Sequence, residues 1–321
     1  MLLHRVSGPF HPMKQGGVTV VQRLNVEFEA EGGITLRAWL FVPAGNGTRL
    51  PAISMAHGYA GTREHGIERF ARAFAQAGFI VLLHDHRGFG ASEGEPRQDI
   101  DPWRQIADWR RALSFLESYE GVDPARIGLW GTSYAGGHAI VLGATDRRLR
   151  CVVAQVPTIS GYEQGLRRVA PEFVASMEET FANDERGEAR GEAPMRQAVV
   201  SDDPAVPAAY RTKDALAFYQ QPVPDGTWDN SVTVRSTRAA RMYEPGVWVS
   251  RVSPTPLLMV VASHDTITVT DLALAAYEKA LQPKRLAMIP GGHFDAYQQY
   301  FPEASRAAVE WFREHLSSPQ G

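Results

Sequence analysis

One short run constrains this chain more than any other: Gly131-Thr132-Ser133-Tyr134-Ala135-Gly136-Gly137. An apolar run, Arg126 to Trp130, precedes it, and a helix-like run, His138 to Ala144, follows it. The pattern reads as strand, sharp turn and helix, with a serine at the tip of the turn. Such a nucleophile elbow strains and crowds the backbone, so its neighbours must be small. The turn holds the hydroxyl clear of both elements, and the helix begins under it with unpaired N–H groups. Ala135 stands at the fifth position of the G-x-S-x-G pattern. It is small enough for the same approach, and two glycines follow.

A serine so placed becomes reactive only beside a base, and the base needs an orienting carboxylate. The apolar run Pro256 to Ala262 reads as a buried parallel strand and ends in Ser263-His264-Asp265-Thr266. The next such run, Lys284 to Pro290, ends in Gly291-Gly292-His293-Phe294. Ligands of open parallel sheets bind outside the carboxyl ends of the strands. Three strand ends are thus expected to bring Ser133, Asp265 and His293 to one edge. Asp295 competes as the acid, but a carboxylate two residues from the ring rarely reaches its far nitrogen, so Asp265 is preferred.

The rest of the chain alternates strands and helices. Residues 18–43 alternate apolar and polar side chains, broken at Glu31-Gly32-Gly33, and read as an edge hairpin. Leu50 to Ser54 and Ile80 to Leu83 read as strands. Glu64 to Ala77, Trp103 to Ser118 and Ala304 to Leu316 read as helices, the first stopping at Gly78. The alternation implies a mostly parallel sheet with helices on both faces. Residues 159–250 break the pattern with mixed charges and prolines 204, 207, 222 and 224. So long a structureless loop is implausible. A mostly helical cap insertion is expected there, with helices at Asp214–Gln220 and Ser236–Tyr243. The division is core 1–158, cap 159–250 and core 251–321. Of the cap aromatics, Trp228 is a candidate substrate contact, as is Trp103 outside the cap.

On these motifs the chain resembles the α/β-hydrolase superfamily from about residue 18 to 316, in which Ser, Asp and His follow one another in this order. Two further motifs carry the resemblance. Met55-Ala56-His57-Gly58-Tyr59 resembles the oxyanion loop, and Leu83 to Gly94 resembles the D-x-R-G-x-G-x-S-x-G turn. Trp130 to Gly137 and the segment with Asp101, Trp103 and Asp108 look like two narrower groups. These are bacterial hydrolases related to dienelactone hydrolase and X-Pro dipeptidyl peptidase, and fungal polyketide-transferase relatives. The resemblance implies a serine hydrolase with triad Ser133, Asp265 and His293 and an oxyanion site of the Tyr59 and Tyr134 N–H groups. It implies a carboxylic ester as substrate, small to medium and partly apolar. Acyl transfer or thioester hydrolysis is the alternative, with peptidase or non-catalytic ligand binding behind it.

Other readings are weaker. His57 fits a structural place in the oxyanion turn better than a metal ligand or second base. His84, Asp85 and His86 alternate faces and do not converge easily on a metal, and Asp85 is expected to tie down the Arg87-Gly88 turn. His65 and His138 lack partners at metal spacing. No phosphate-cradling motif is present, so no cofactor is expected. The formal net charge of −3 gives no reason to expect nucleic acid. Cys151, the single cysteine, excludes an internal disulfide and reads as buried and inert. No run reaches the length of a membrane helix, and Met1 to Pro9 has no apolar signal core. A cytoplasmic protein without membrane association is expected, taking a small acyl substrate, with an oligomer left open.

Overall fold

The computed structural model describes residues 20–44 and 48–317. The Met1–Pro9 segment and the first two residues of the expected hairpin lie outside these. Strands β1 (Val21–Glu29) and β2 (Thr35–Pro43) pair antiparallel in register from Val21↔Pro43 to Glu29↔Thr35. The connecting turn needs Gly32 and Gly33, whose φ of 82° and 74° is left-handed. After them come β3 (Leu50–Ala56), α1 (Glu68–Gln76), β4 (Ile80–His84), α2 (Pro102–Ser118), β5 (Val122–Thr132), α3 (Tyr134–Thr145) and β6 (Leu149–Gln155). The sheet is completed by β10 (Leu257–Ala262) and β11 (Lys284–Ile289), with α8 (Thr270–Lys279) between them and α9 (Phe301–Leu316) last.

The eight strands lie in the order β1-β2-β4-β3-β5-β6-β10-β11. Only the β1–β2 and β2–β4 pairs are antiparallel. Helices α1 and α9 pack on one another along one face, and α2 and α3 pack together on the other. This is the expected doubly covered, mostly parallel sheet. Strand β10 is buried at every position, which is why it reads as one unbroken apolar run. Phe70 and Phe74 of α1 meet the buried Trp130 of β5 at ring distances of 4.9 and 6.2 Å. Cys151 is buried in β6, where desolvation pushes its thiol up.

Helix α1 starts four residues later than its apolar spacing suggests. Thr62 donates its N–H to His65 Nδ1 (3.0 Å), and Gly66 is left-handed at φ 73°, so residues 62–67 form turns. Between β6 and β10 lie α4 (Gly161–Arg168), α5 (Pro171–Ala189), α6 (Lys213–Tyr219), α7 (Val234–Met242) and a 3-10 turn, Pro245–Arg251. The two helices expected here appear as α6 and α7. A small sheet of β7 (Arg196–Val200), β8 (Ala208–Tyr210) and β9 (Val232–Thr233) accompanies them. Its strands are too short, and too close to prolines, to show a period in the sequence.

Five histidines, His57, His65, His84, His86 and His138, are buried around the β3 and β4 ends. The His86 ring sits among those of His57, His84 and His138, at 4.6, 5.2 and 5.8 Å. Desolvation lowers the pKa of every one of the five, to about 4 for His65 and about 3 for His84 and His138. In the unfolded chain the same rings take up a proton near pH 6.5, so below that pH the unfolded state binds more protons. Their contribution to stability is complete above about pH 6.5 and is lost as the pH falls toward the lowered values. Urea unfolding is expected to show stability declining below about pH 6.5. His84→Phe is expected to flatten that slope by about 1.4 kcal/mol per pH unit. An unchanged slope would mean His84 is protonated in the folded protein.

Candidate active site

Ser133 occupies the turn between β5 and α3 at φ 57°, ψ −120°, outside the regions a side-chain-bearing residue prefers. Its N–H donates to Gln155 O (2.9 Å), and its carbonyl accepts from the N–H groups of Gly136 and Thr158 (2.9 Å each). The elbow is thereby tied to the end of β6. Glycine is required at two flanking positions. A Cβ on Gly131 would collide with the Ala135 carbonyl, and one on Gly136 would lie 2.9 Å from Pro157 Cα.

His293 Nε2 lies 2.9 Å from Ser133 Oγ, and His293 Nδ1 lies 2.8 Å from Asp265 Oδ2. All three residues are buried. The carboxylate fixes Nδ1 as the donor, so Nε2 accepts from the serine hydroxyl. Asp265 is itself held. Its Oδ1 accepts from the N–H groups of Ile267 and Thr268 (2.8 Å each), and its Oδ2 lies 2.8 Å from Thr268 Oγ1. Burial alone would raise its pKa. Attraction to His293 and these hydrogen bonds outweigh burial and bring it down to about 2. Asp295 turns away and accepts from the Gly292 N–H (2.7 Å). Thr268 was missed in the sequence. The signal was present, since an Asp commonly accepts from N–H groups two and three residues on, fixing which side chain stands over its carboxylate.

The loop after β3 lies directly on the serine. A Cβ on Gly58 would sit 2.9 Å from Ser133 Cβ. Among the described residues, the N–H groups of Tyr59 and Tyr134 form no hydrogen bond. His57 braces this loop, its Nδ1 donating to Gly58 O (3.0 Å) while Nε2 accepts from the His86 N–H (3.1 Å). That is the structural place expected of it. Asp85 accepts from the N–H groups of Arg63 (2.8 Å) and Ala91 (3.1 Å), whereas Arg87 pairs with Asp108 (Nε to Oδ2, 2.6 Å). The expected tie is therefore divided between two carboxylates.

The segment between β6 and β10 is fastened to the same loop. Tyr219 Oη donates to Tyr59 O (2.6 Å), Trp228 Nε1 donates to Ala60 O (2.7 Å), and Tyr59 Oη lies 3.1 Å from Thr237 Oγ1. Trp228 thus packs and anchors, and it lines neither cavity beside Ser133. Trp103, half exposed, lines a separate groove of about 670 Å³ that does not include Ser133.

The X-Pro dipeptidyl-peptidase family (S15) matches residues 32–295, most of the chain. The chain belongs to that family. Within the wider α/β-hydrolase group it is 31% identical to the quorum-quenching protein AidA of Acinetobacter baumannii, over 85% of this chain and 88% of that protein. It is also 31% identical to thiohydrolase aneE of Aspergillus aculeatus, over 81% and 83%. The crystal structure of the α/β hydrolase GrgF from Penicillium superposes with a TM-score of 0.80 at 28% identity, covering 92% of this chain and 99% of that one. The S15 chain described here is accordingly an α/β hydrolase, with hydrolases and acyl-transferring enzymes among its relatives. No helix among its described residues is long and apolar enough to cross a membrane.

Gly58→Ala is expected to lower kcat/KM by at least about tenfold, because the added carbon must displace either the loop or the serine, and small misplacements are costly. Steady-state kinetics with an activated ester measures this, and circular dichroism checks the fold. Unaltered kinetics would show that the loop has slack.

Proposed function

We propose that this protein is a serine hydrolase that cleaves a carboxylic ester of a small substrate through an acyl-enzyme on Ser133. One observation carries the reading: the buried hydrogen-bond chain Asp265–His293–Ser133 at three strand ends. His293 takes the Ser133 proton as Oγ attacks the carbonyl carbon. Asp265 stabilises the resulting imidazolium. The Tyr59 and Tyr134 N–H groups receive the oxyanion, each such donor being worth roughly 3 kcal/mol. His293 then protonates the leaving alcohol, activates water, and the acyl group departs as the acid. Residues 159–250 serve as the cap over this edge.

A thioester donor, with hydrolysis or acyl transfer by the same residues, is the second reading. The likeness to thiohydrolase aneE and to polyketide transferase grgF of Penicillium favours it. So does the narrowness of the space beside Ser133, which limits competing water.

Intact-mass labelling with a fluorophosphonate, run beside a p-nitrophenyl ester series, tests the reading. Wild type is expected to take one adduct. Ser133→Ala is expected to take none and to lose about 10⁴-fold or more in kcat with its fold unchanged. Labelling without ester turnover would move the assignment to thioesters. Absence of any adduct would sink the serine mechanism and leave a ligand-binding protein.

A further inference from the structure

Ser133 opens onto two small cavities of different chemistry. One, of about 20 Å³, is walled by Phe218, Tyr219, Phe294 and Tyr297 and includes His293. The other, of about 50 Å³, lies under α4 and α7 and is lined by Arg168 and Arg241, with no carboxylate. About 50 Å³ holds roughly four water-sized groups.

The two arginines differ from their neighbours. Arg167 pairs with Asp271, Arg235 with Asp99 and Glu188, and Arg238 with Glu185. Arg168 and Arg241 form no ion pair among the described residues. Arg168 is solvent-exposed, and its guanidinium lies over the Tyr210 ring at 5.4 Å and interacts with the Tyr210 side chain. Arg241 Nη1 is buried without an acceptor, and so is the hydroxyl of Tyr134, a residue only 4% exposed that also lines this cavity. Other polar groups of the lining are engaged: Gln164 donates to Thr268 O, and Thr237 Oγ1 receives from Gln197. Gly165 leaves room for the guanidinium, since a Cβ there would collide with Arg241 Nη1. Leaving the buried Arg241 Nη1 unpaired is costly, and a carboxylate in the planar fork of that arginine offsets the cost.

The two cavities receive different halves of the substrate. His293 must protonate the leaving group, and it lines the aromatic cavity, so the leaving group departs on that side. The acyl arm then occupies the cationic side. A free amino terminus there would bring a cation against two others.

We propose that the acyl arm is short and ends in a carboxylate held by Arg241 and Arg168, with the Tyr134 hydroxyl as a further donor. This rests on the reading of Ser133 as nucleophile. The substrate class is then a half-ester, or the corresponding thioester, of a short dicarboxylic acid.

The test compares mono-p-nitrophenyl glutarate with p-nitrophenyl pentanoate, which share chain length and leaving group. Wild type is expected to favour the glutarate in kcat/KM by at least about tenfold. Arg241→Met is expected to reduce that ratio at least about tenfold, Arg168→Gln to reduce it less, and Arg241→Lys to restore part of it. A wild-type ratio at or below one, or a ratio unmoved in Arg241→Met and Arg168→Gln, overturns the proposal. Should Arg241→Met fail to fold, the wild-type ratio and Arg168→Gln decide. Calorimetry of monomethyl glutarate against Ser133→Ala separates this proposal from the mechanism. Saturable binding, weakened by adding Arg168→Gln, supports the anion site even if no ester is turned over. No binding there overturns it even if Ser133 takes the fluorophosphonate.

Discussion

The arrangement at Ser133 depends on parallel strands that end level. Thr132 of β5 pairs with Gln155 of β6, Gln155 pairs with Val260 of β10, and Ala262 of β10 pairs with Ile289 of β11. Loops far apart in sequence therefore open along one line, and those after β5, β10 and β11 each contribute one member of the Ser133–His293–Asp265 chain. A one-residue slip of β10 would turn every side chain to the opposite face of the sheet and carry Asp265 out of reach of His293. What prevents the slip is burial. Every residue of β10 is buried, and so is nearly all of β6. The apolar packing that stabilises the sheet is the same constraint that sets distances between polar groups at its edge.

The edge also concentrates strain. Ala60, Ser133, Val156 and Val269 have positive φ without being glycine, and all four lie in loops at this edge. Two of them are β-branched, for which that conformation is least tolerable. Such residues cost of order 1–3 kcal/mol each and persist only where the surroundings over-determine them. Each has its restraint. The Val156 N–H donates to Val260 O (2.7 Å), and its carbonyl lies 3.0 Å from Thr268 Oγ1. Val269 follows the turn that Asp265 closes, and Ala60 accepts from Trp228. Thr268 thus restrains the loop after β6 and the acid beside His293 at once.

Much of this was legible in the sequence because it rests on local patterns. Strand ends, the small residues around Ser133 and the apolar runs before Asp265 and His293 are short-range features. They located the mostly parallel sheet and the three residues that meet. Where reading stopped, the determinants were long-range. Trp228 looked like a pocket aromatic because its indole partner, the Ala60 carbonyl, lies far away in the chain. Arg168 and Arg241 carry no local signature, since what distinguishes them is the absence of the carboxylate that Arg167, Arg235 and Arg238 each have. The sheet of β7, β8 and β9 was hidden for a related reason: strands of two to five residues show no period, and only their pairing defines them.

The fastening of the β6–β10 segment to the loop over Ser133 couples access to geometry. The carbonyls of Tyr59 and Ala60 accept from Tyr219 and Trp228, in the two peptides that follow the Gly58–Tyr59 peptide carrying the Tyr59 N–H. Peptide planarity couples the Tyr59 N–H to the Gly58 carbonyl, which His57 holds, and the anchored carbonyls fix the chain immediately after it. A substrate longer than the narrow cavities has to displace α4, α6 or α7, and displacing α6 pulls on Tyr219. The loop therefore holds its place best when the segment is seated. A ligand that fills the space without lifting the segment leaves the Tyr59 N–H where Gly58 and His57 set it, and one that does not fit loosens it. Discrimination among substrates on this arrangement falls on the positioning of the loop as well as on contacts with the substrate itself.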